Sequence, residues 1–557
     1  MSGARRHKAG TRLAPAFMDL PLNELGSIVE RTRLEALSEQ EHAKLKAAMD
    51  TLAFVTAELR RKQTSLDRLR RLLFGAPTEK TCTVVGSDAA PAEAQASGSE
   101  SSESGRSETK APRPGHGRAA AAAYTGADTV SIAHPTLARG DCCPGCSKGK
   151  IYPLAEPATL VRITGMAPLG ATVYERSRWR CNLCGEVFTA PVPEDVGEAK
   201  YDETATSMVG LLKYGCGLPF HRIEVLQRGL RIPLPAATQW ELVREALPKL
   251  LPAWDELMRQ AAQGEVLYND DTTMKVLALS AEQRRAAAAD EQTDARTGVF
   301  TSGIVATGAG HHIALFFTGH QHAGENLAEV LARRAAEHPA PIQMCDALPS
   351  NSVGEFETLL ANCLTHARRR FVEVVEDFPA EVRQVLETLR ELYRTDARAR
   401  ERALSAEQRL QLHQAESGPR MAELESWLRQ QLDEHRVEPN SGLGSAIAYL
   451  LKHWAKLTLF LRVPGAPLDN NICERALKKA ILHRKNALFY RSLAGARVGD
   501  VFMSLIHTAE LNGVAPFEYL VALQRHHETV ALDPGDWLPW NYEATLADLH
   551  SGAPPPS

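Results

Sequence analysis

Three acids in this 557-residue chain are placed where they could do chemistry together. Asp270 lies in VLYNDDTTMKVL, Asp346 in PIQMCDALPSN and Glu474 in LDNNICERALKK. The first two sit at or beside the end of an apolar, strand-like run, and the third opens a helix-like one. Carboxylates are hard oxygen donors, and magnesium keeps several of its waters, so a few carboxylates suffice to hold it. Two such ions about 3.5–4 Å apart can serve the attacking and the leaving oxygen of a phosphodiester. The reading is a triad in which Asp270 bridges two magnesium (or manganese) ions, with Asp346 on one and Glu474 on the other. Each acid also has a plainer reading. Asp271 adjoins Asp270, and strand alternation sends one of them to each face. Asp346 could open a turn or cap the next helix. Asn471 and Glu474 have the spacing of a capping box, and Glu474 with Lys478 that of an i,i+4 pair.

Cations follow the third acid. Arg475, Lys478, Lys479, Arg484 and Lys485 lie on or just beyond its helix, and His366, Arg368, Arg369 and Arg370 form a second group. Both groups suit phosphate positioning in double-stranded DNA, by charge and without base specificity. A solvated helix face is the alternative. Asn470 and Asn471 suit the turn before the helix. Cys143 and Cys146 in CCPGC, and Cys181 and Cys184 in CNLCG, form two knuckles. Four thiolates complete a tetrahedron around one zinc and leave no open position, so this zinc is expected to be structural. Cys142 has the wrong spacing for a knuckle.

Length alone suggests about three or four domains. Apolar content of 44% and charged content of 24% are those of a globular protein, and a net charge of -4 does not exclude local basic patches. Nothing approaches the roughly 20 apolar residues of a membrane span, and the basic N-terminus lacks a signal core. A cytoplasmic protein, nucleoid-associated when acting, is expected, with no membrane partner.

Along the chain, residues 1–38 form a lead. Over 39–79, Leu45, Leu52, Leu59, Leu66 and Leu73 recur every seven residues, which predicts a coiled-coil helix and self-association. Residues 80–127 have a linker's composition. The zinc ribbon is placed at 128–195, with Arg176, Arg178 and Arg180 sharing one strand face. Three short helices at 200–256 suit a helix-turn-helix or a plain helical domain. The core follows in two parts, 264–352 and 457–531, around a helical insertion at 353–456, and a loose tail occupies 532–557. Three strands, a helix, a strand and a helix predict an α/β core with a mixed sheet, the ribonuclease H-like arrangement.

Beyond spacing, YNDDTTMKVL, CDALPSN, CLTHARRRF, LDNNICERALKKAILHRKNALFYRS and TAELNGVAPFEYL resemble successive blocks of the insertion sequence 66 family of transposases. RRLLFGAPTEK and the two knuckles are similar to its N-terminal part, so the likeness spans nearly the whole chain. DNNxxER followed by RKN is the most specific piece. The resemblance implies DDE-type transposition, in which strands are cut at element ends and the freed 3′-hydroxyls attack target DNA. It carries the acids over to Asp270, Asp346 and Glu474, and implies that small accessory proteins of the element can assist. The chain departs from the family's Asp-Glu-Thr at Asp270-Asp271-Thr272 and from its Asp-Gly-Tyr at Asp346-Ala347-Leu348. Two alternatives stay open: a DNA-binding or assembly protein descended from a transposase, and a ribonuclease H-like nuclease that only hydrolyses.

Overall fold

A computed structural model describes residues 38–46, 136–142, 144, 148–152, 167–180, 187–193, 199–280, 296 and 298–551. The chain divides into two compact units, Met1–Ala90 with Phe371–Glu387, and Pro91–Arg370 with Thr388–Ser557. In the first, a helix over 39–46 opens on a capping box: Glu41 N donates to Ser38 Oγ at 3.3 Å and Ser38 N to Glu41 Oε2 at 3.1 Å. The rest of the leucine repeat lies outside the described residues. So do Cys143, Cys146, Cys181 and Cys184. Their flanks are described: Cys142 bridges Lys150 antiparallel, and strands β1 (Arg178–Arg180) and β2 (Val187–Thr189) form an antiparallel pair around the second knuckle.

The second unit is built on a five-stranded sheet. Strands β3 (Val266–Thr273), β4 (Phe300–Gly308) and β5 (His311–Gly319) run antiparallel in sequence. Strand β6 (Ile342–Cys345) then joins β3 in parallel, and β7 (Leu359–Asn362) joins β6 in parallel, giving the order β5-β4-β3-β6-β7. Strand β7 corrects the expectation that residues from Val353 onward are helical. Four residues of LLAN carry too short a pattern to separate strand from helix, and β6 decides the matter by offering its free edge. The helices of the insertion begin only afterwards, at Leu364–Val372, Pro379–Glu401, Ala406–Asp433 and Gly442–Lys452.

The predicted small helical domain is part of the main core. Helices α1 (Glu203–Gly210), α2 (Phe220–Gly229) and α3 (Ala236–Ala262) place Val209, Ile223, Val243, Leu250, Trp254 and Leu257 out of solvent, and all of these but Ile223 belong to the cluster shared with the sheet. Helix α3 continues through Pro248 and Pro252, each of which removes a backbone N–H. Its apolar face, buried along its length, outweighs that loss. Over its described residues, 532–551, the tail is not loose either: Trp537, Leu538 and Tyr542 lie in the same core, and a further helix covers Tyr542–Ser551.

One helix, Leu493–Leu511, lies along the edge strand β5. Its polar residues recur every fourth position and meet every second residue of the strand. Asp500 accepts from Thr318 N and Oγ1 at 2.8 and 2.7 Å, Ser504 Oγ from Phe316 N at 3.0 Å, and Thr508 Oγ1 from Ala314 N at 3.1 Å. Asn512, just past the last turn, bonds both the N–H and the carbonyl of His312. Four helical residues rise about 6 Å and two strand residues about 6.8 Å, so the rungs stay in step. The next helix, Pro516–Arg525, follows a turn at Gly513, whose φ of +73° suits glycine.

Candidate active site

Strand β3 carries Asp270 and Asp271 in the centre of the sheet, and alternation sends them to opposite faces. Asp271 is fully engaged. Its carboxylate accepts from Ser302 Oγ at 2.7 Å and sits 2.8 Å from His322 Nδ1, while Asn326 Nδ2 donates to Ser302 Oγ. Asp270 takes only the N–H of Asp271, at 2.8 Å. Its partner across the β3–β4 ladder is Gly303.

Parallel register brings Asp346 to Asp270. Tyr268 pairs with Met344, so two residues farther along each chain Asp270 and Asp346 lie abreast, Asp346 being the first residue beyond β6. Neighbouring strands stand about 4.8 Å apart. One oxygen of Asp346 is held in place: Oδ1 accepts from Leu348 N at 3.1 Å and from Asn351 Nδ2. Asn351 belongs to a buried amide network with Asn269 and Gln343 beneath the strand ends.

Glu474 arrives on the first turn of helix α4 (Asn471–Ala487). The capping-box reading fails here. The N-cap is Asn470, whose side chain makes no cap but turns inward and donates to Asn269 O at 3.1 Å, beside Asp270. Its backbone N–H donates to Cys363 Sγ at 3.3 Å. The helix then lies close over β4, because Gly303 has no side chain: a Cβ there would stand 2.9 Å from Leu477 Cγ and Cδ2. Cys473 donates to Gly303 O at 3.2 Å. Burial first, and then the carboxylates of Asp346 and Glu474, push the Asp270 carboxyl up to about 7 against the opposing Asp271 N–H. The three predicted acids thus share one electrostatic site.

Beside them is a group that sequence reading missed. Cys363, His366 and Glu474 place one donor atom each within 4.8 Å of one another. His366 Nε2 is 3.8 Å from Glu474 Oε1. Four buried polar atoms here have no hydrogen-bond partner: Asn362 Oδ1, His366 Nδ1, Asn470 Oδ1 and Glu474 Oε1. Native proteins rarely leave such atoms unpaired, and a cluster of them marks a place made for a ligand or an ion. The donor set therefore fits a divalent cation. The only signal in the sequence was the histidine of CLTHARRRF, which reads there as one cation among several.

The cations divide. Arg475, Lys478 and Lys485 are exposed along or at the end of α4. Lys479 is 2.8 Å from a carboxylate oxygen of Glu510, and Arg484 donates to Thr272 Oγ1 and Thr273 Oγ1 at 3.0 and 2.7 Å, so both are committed to holding the fold. Arg370 stacks on Tyr449 at 3.8 Å; Arg368 and Arg369 are half-buried on the His366 helix. A cavity of about 410 Å³ opens beside the start of α4, lined by Tyr268, Tyr393, Arg400, Arg409, Asp469 and Arg475 among others.

One acid lies within β3, one just beyond its parallel neighbour β6, and one on the helix that covers the sheet. A family model described as Transposase IS66 family matches residues 199–498, more than half of the chain, and the chain belongs to that family. The matched stretch contains the whole sheet and all three acids. Relatives are found in Sinorhizobium fredii (strain NBRC 101917 / NGR234). The uncharacterized protein y4jD is 28% identical over 418 residues, 72% of this chain and 78% of its own. The uncharacterized protein y4hP is 25% identical over 440 residues, 73% and 74% respectively. No solved structure matches the chain. Among the described residues no helix is long and apolar enough to cross a membrane.

Proposed function

We propose that the protein is a DDE-type transposase with a ribonuclease H-like core, in which Asp270, Asp346 and Glu474 hold two divalent metal ions, magnesium or manganese. The observation that carries this reading is the gathering of Asp346 and Glu474 around Asp270, whose carboxyl is raised first by burial and then by these neighbours, with Glu474 Oε1 buried without a partner. Three acids crowded in this way repel one another, and cations relieve them. The strand order, with three antiparallel strands and two added in parallel beside the first, supports the ribonuclease H-like assignment. When bound, a metal pair supplies an activated oxygen nucleophile and a stabilised leaving oxygen.

The chain's own residues do the positioning. Asn351 and Leu348 N fix the Asp346 carboxylate, Asn470 fixes the entry of α4, and Gly303 sets how near Glu474 comes to the sheet. Arg475, Lys478 and Lys485, with Arg368 and Arg369, hold the DNA backbone by charge. Lys479 and Arg484, counted with them from sequence, act instead as ties within the protein. The knuckles Cys143, Cys146, Cys181 and Cys184 hold a structural zinc, and the leucine repeat joins copies of the chain.

The test is a strand-transfer assay with pre-cut ends of the protein's own element, magnesium and a target plasmid. Joined product is expected from the wild type, and none from Glu474→Gln, which should keep its affinity for the ends. Nicking without joining would assign hydrolysis alone, and joining at the wild-type rate by the variant would remove Glu474 from the site.

A further inference from the structure

We infer that His366 is a metal ligand beside Glu474, adding a nitrogen donor to an otherwise all-oxygen site. The inference rests on the reading of Asp270, Asp346 and Glu474 as metal carboxylates.

Two donors stand within reach of one ion. His366 Nε2 and Glu474 Oε1 are 3.8 Å apart, too far for a hydrogen bond. Donors each about 2.1 Å from a shared ion stand about 3.0 Å apart in cis, so a movement of under ~1 Å by either side chain brings the pair onto one ion. Glu474 Oε1 is buried without a partner, so nothing in the protein competes for it. The pair is also held from both sides. Leu364 N donates to Leu468 O at 3.0 Å, and Asn470 N to Cys363 Sγ at 3.3 Å. These two bonds clamp the start of the His366 helix to the turn that launches α4. Cys363, third in the cluster, already serves as an acceptor in that clamp, and a thiol is a poor donor for magnesium or manganese.

Chemistry follows from the donor type. An imidazole nitrogen is a softer donor than a carboxylate, and manganese takes nitrogen more readily than magnesium does. One of the two ions should therefore be bound with a preference for manganese that a site of three carboxylates lacks.

The experiment is electron spin-echo spectroscopy of Mn2+ bound to the full-length, zinc-loaded protein. A directly bound imidazole gives a nitrogen modulation of the manganese echo. The modulation is expected in the wild type and absent in His366→Gln, whose Mn2+ affinity should fall about tenfold or more with a smaller change for Mg2+. Asp270→Asn is the control that identifies the site, because its loss of bound Mn2+ marks the ion as the one held by the acids. Manganese that Asp270→Asn removes, but that shows no bound nitrogen in the wild type, overturns the role of His366 and leaves the carboxylate reading intact. Nitrogen modulation that survives in His366→Gln overturns it as well. Failure of any Mn2+ to depend on Asp270 overturns both. Should His366→Gln not fold, the wild-type spectrum together with His366→Asn decides the matter.

Discussion

Two successive helices flank the same sheet and treat their polar side chains in opposite ways. On Leu493–Leu511, Asp500, Ser504 and Thr508 each meet a backbone group of β5, and Asn512 continues the row. On α4 and the turn before it, Glu474 Oε1 and Asn470 Oδ1 are buried and meet nothing. Both regions hold a carboxyl raised to about 7. At Asp500 burial does it against three opposing groups, the Thr318 N–H, the Thr318 hydroxyl and Arg497. At Asp270 burial is reinforced by three more acids, Asp346, Glu474 and Asp271. Leaving a buried polar group unpaired costs about 1–3 kcal/mol. The first helix uses its polar atoms to secure the sheet, while the second leaves two of its buried oxygens unpaired beside Asp270.

The contrast can be broken at several points. The largest effect should come from Glu474→Gln. Strand joining should fall by more than about a hundredfold, while the metal-free protein melts no lower than the wild type because one crowded charge is gone. A lower melting temperature, read by calorimetry, would place Glu474 among the stabilising residues instead. Next is Gly303→Ala. The added methyl forces Leu477 and α4 outward, costing about 1–3 kcal/mol and weakening Mn2+ binding. Gly303→Ala with Leu477→Ala should recover part of the binding, and no recovery would mean that the clash is not the cause. Asp500→Ala should cost a similar ~1–3 kcal/mol in denaturant unfolding yet leave Mn2+ affinity unchanged once the protein is folded.

The smallest effect is in pH. Asp270 and Asp500 both have folded values above their ordinary range near 4. Between roughly pH 4 and pH 7 the folded chain therefore binds more protons than the unfolded one, and stability from these groups falls as pH rises through that window. Saturating Mn2+ should abolish the Asp270 share of that slope and leave the Asp500 share, as melting curves from pH 5 to pH 8 would show. A slope unchanged by Mn2+ would separate Asp270 from the metal.

The proximity of the acids at the candidate site was legible because its signals are local. Asp270 and Asp346 end apolar runs, and parallel register alone then sets them side by side. Alternation likewise separated Asp271 from Asp270 before any coordinates. What escaped depends on distant partners. Strand β7 is four residues long and exists because β6 offers an edge. His366 sits among arginines in sequence, and its meeting with Glu474 depends on the clamp at Leu468 and Asn470. The four-residue spacing of Asp500, Ser504, Thr508 and Asn512 was in plain view, yet polar residues on an apolar helix gain meaning only opposite an unpaired strand.

The chain leaves β7 after Asn362, and a long way on it returns beside that point, where Leu364 N donates to Leu468 O. The cost of closing such a loop grows only by about 0.6 kcal/mol for each doubling of its length. Helices inserted after Arg370 can accordingly change length at little cost, while the helix that carries His366 stays fixed beside the turn before Glu474.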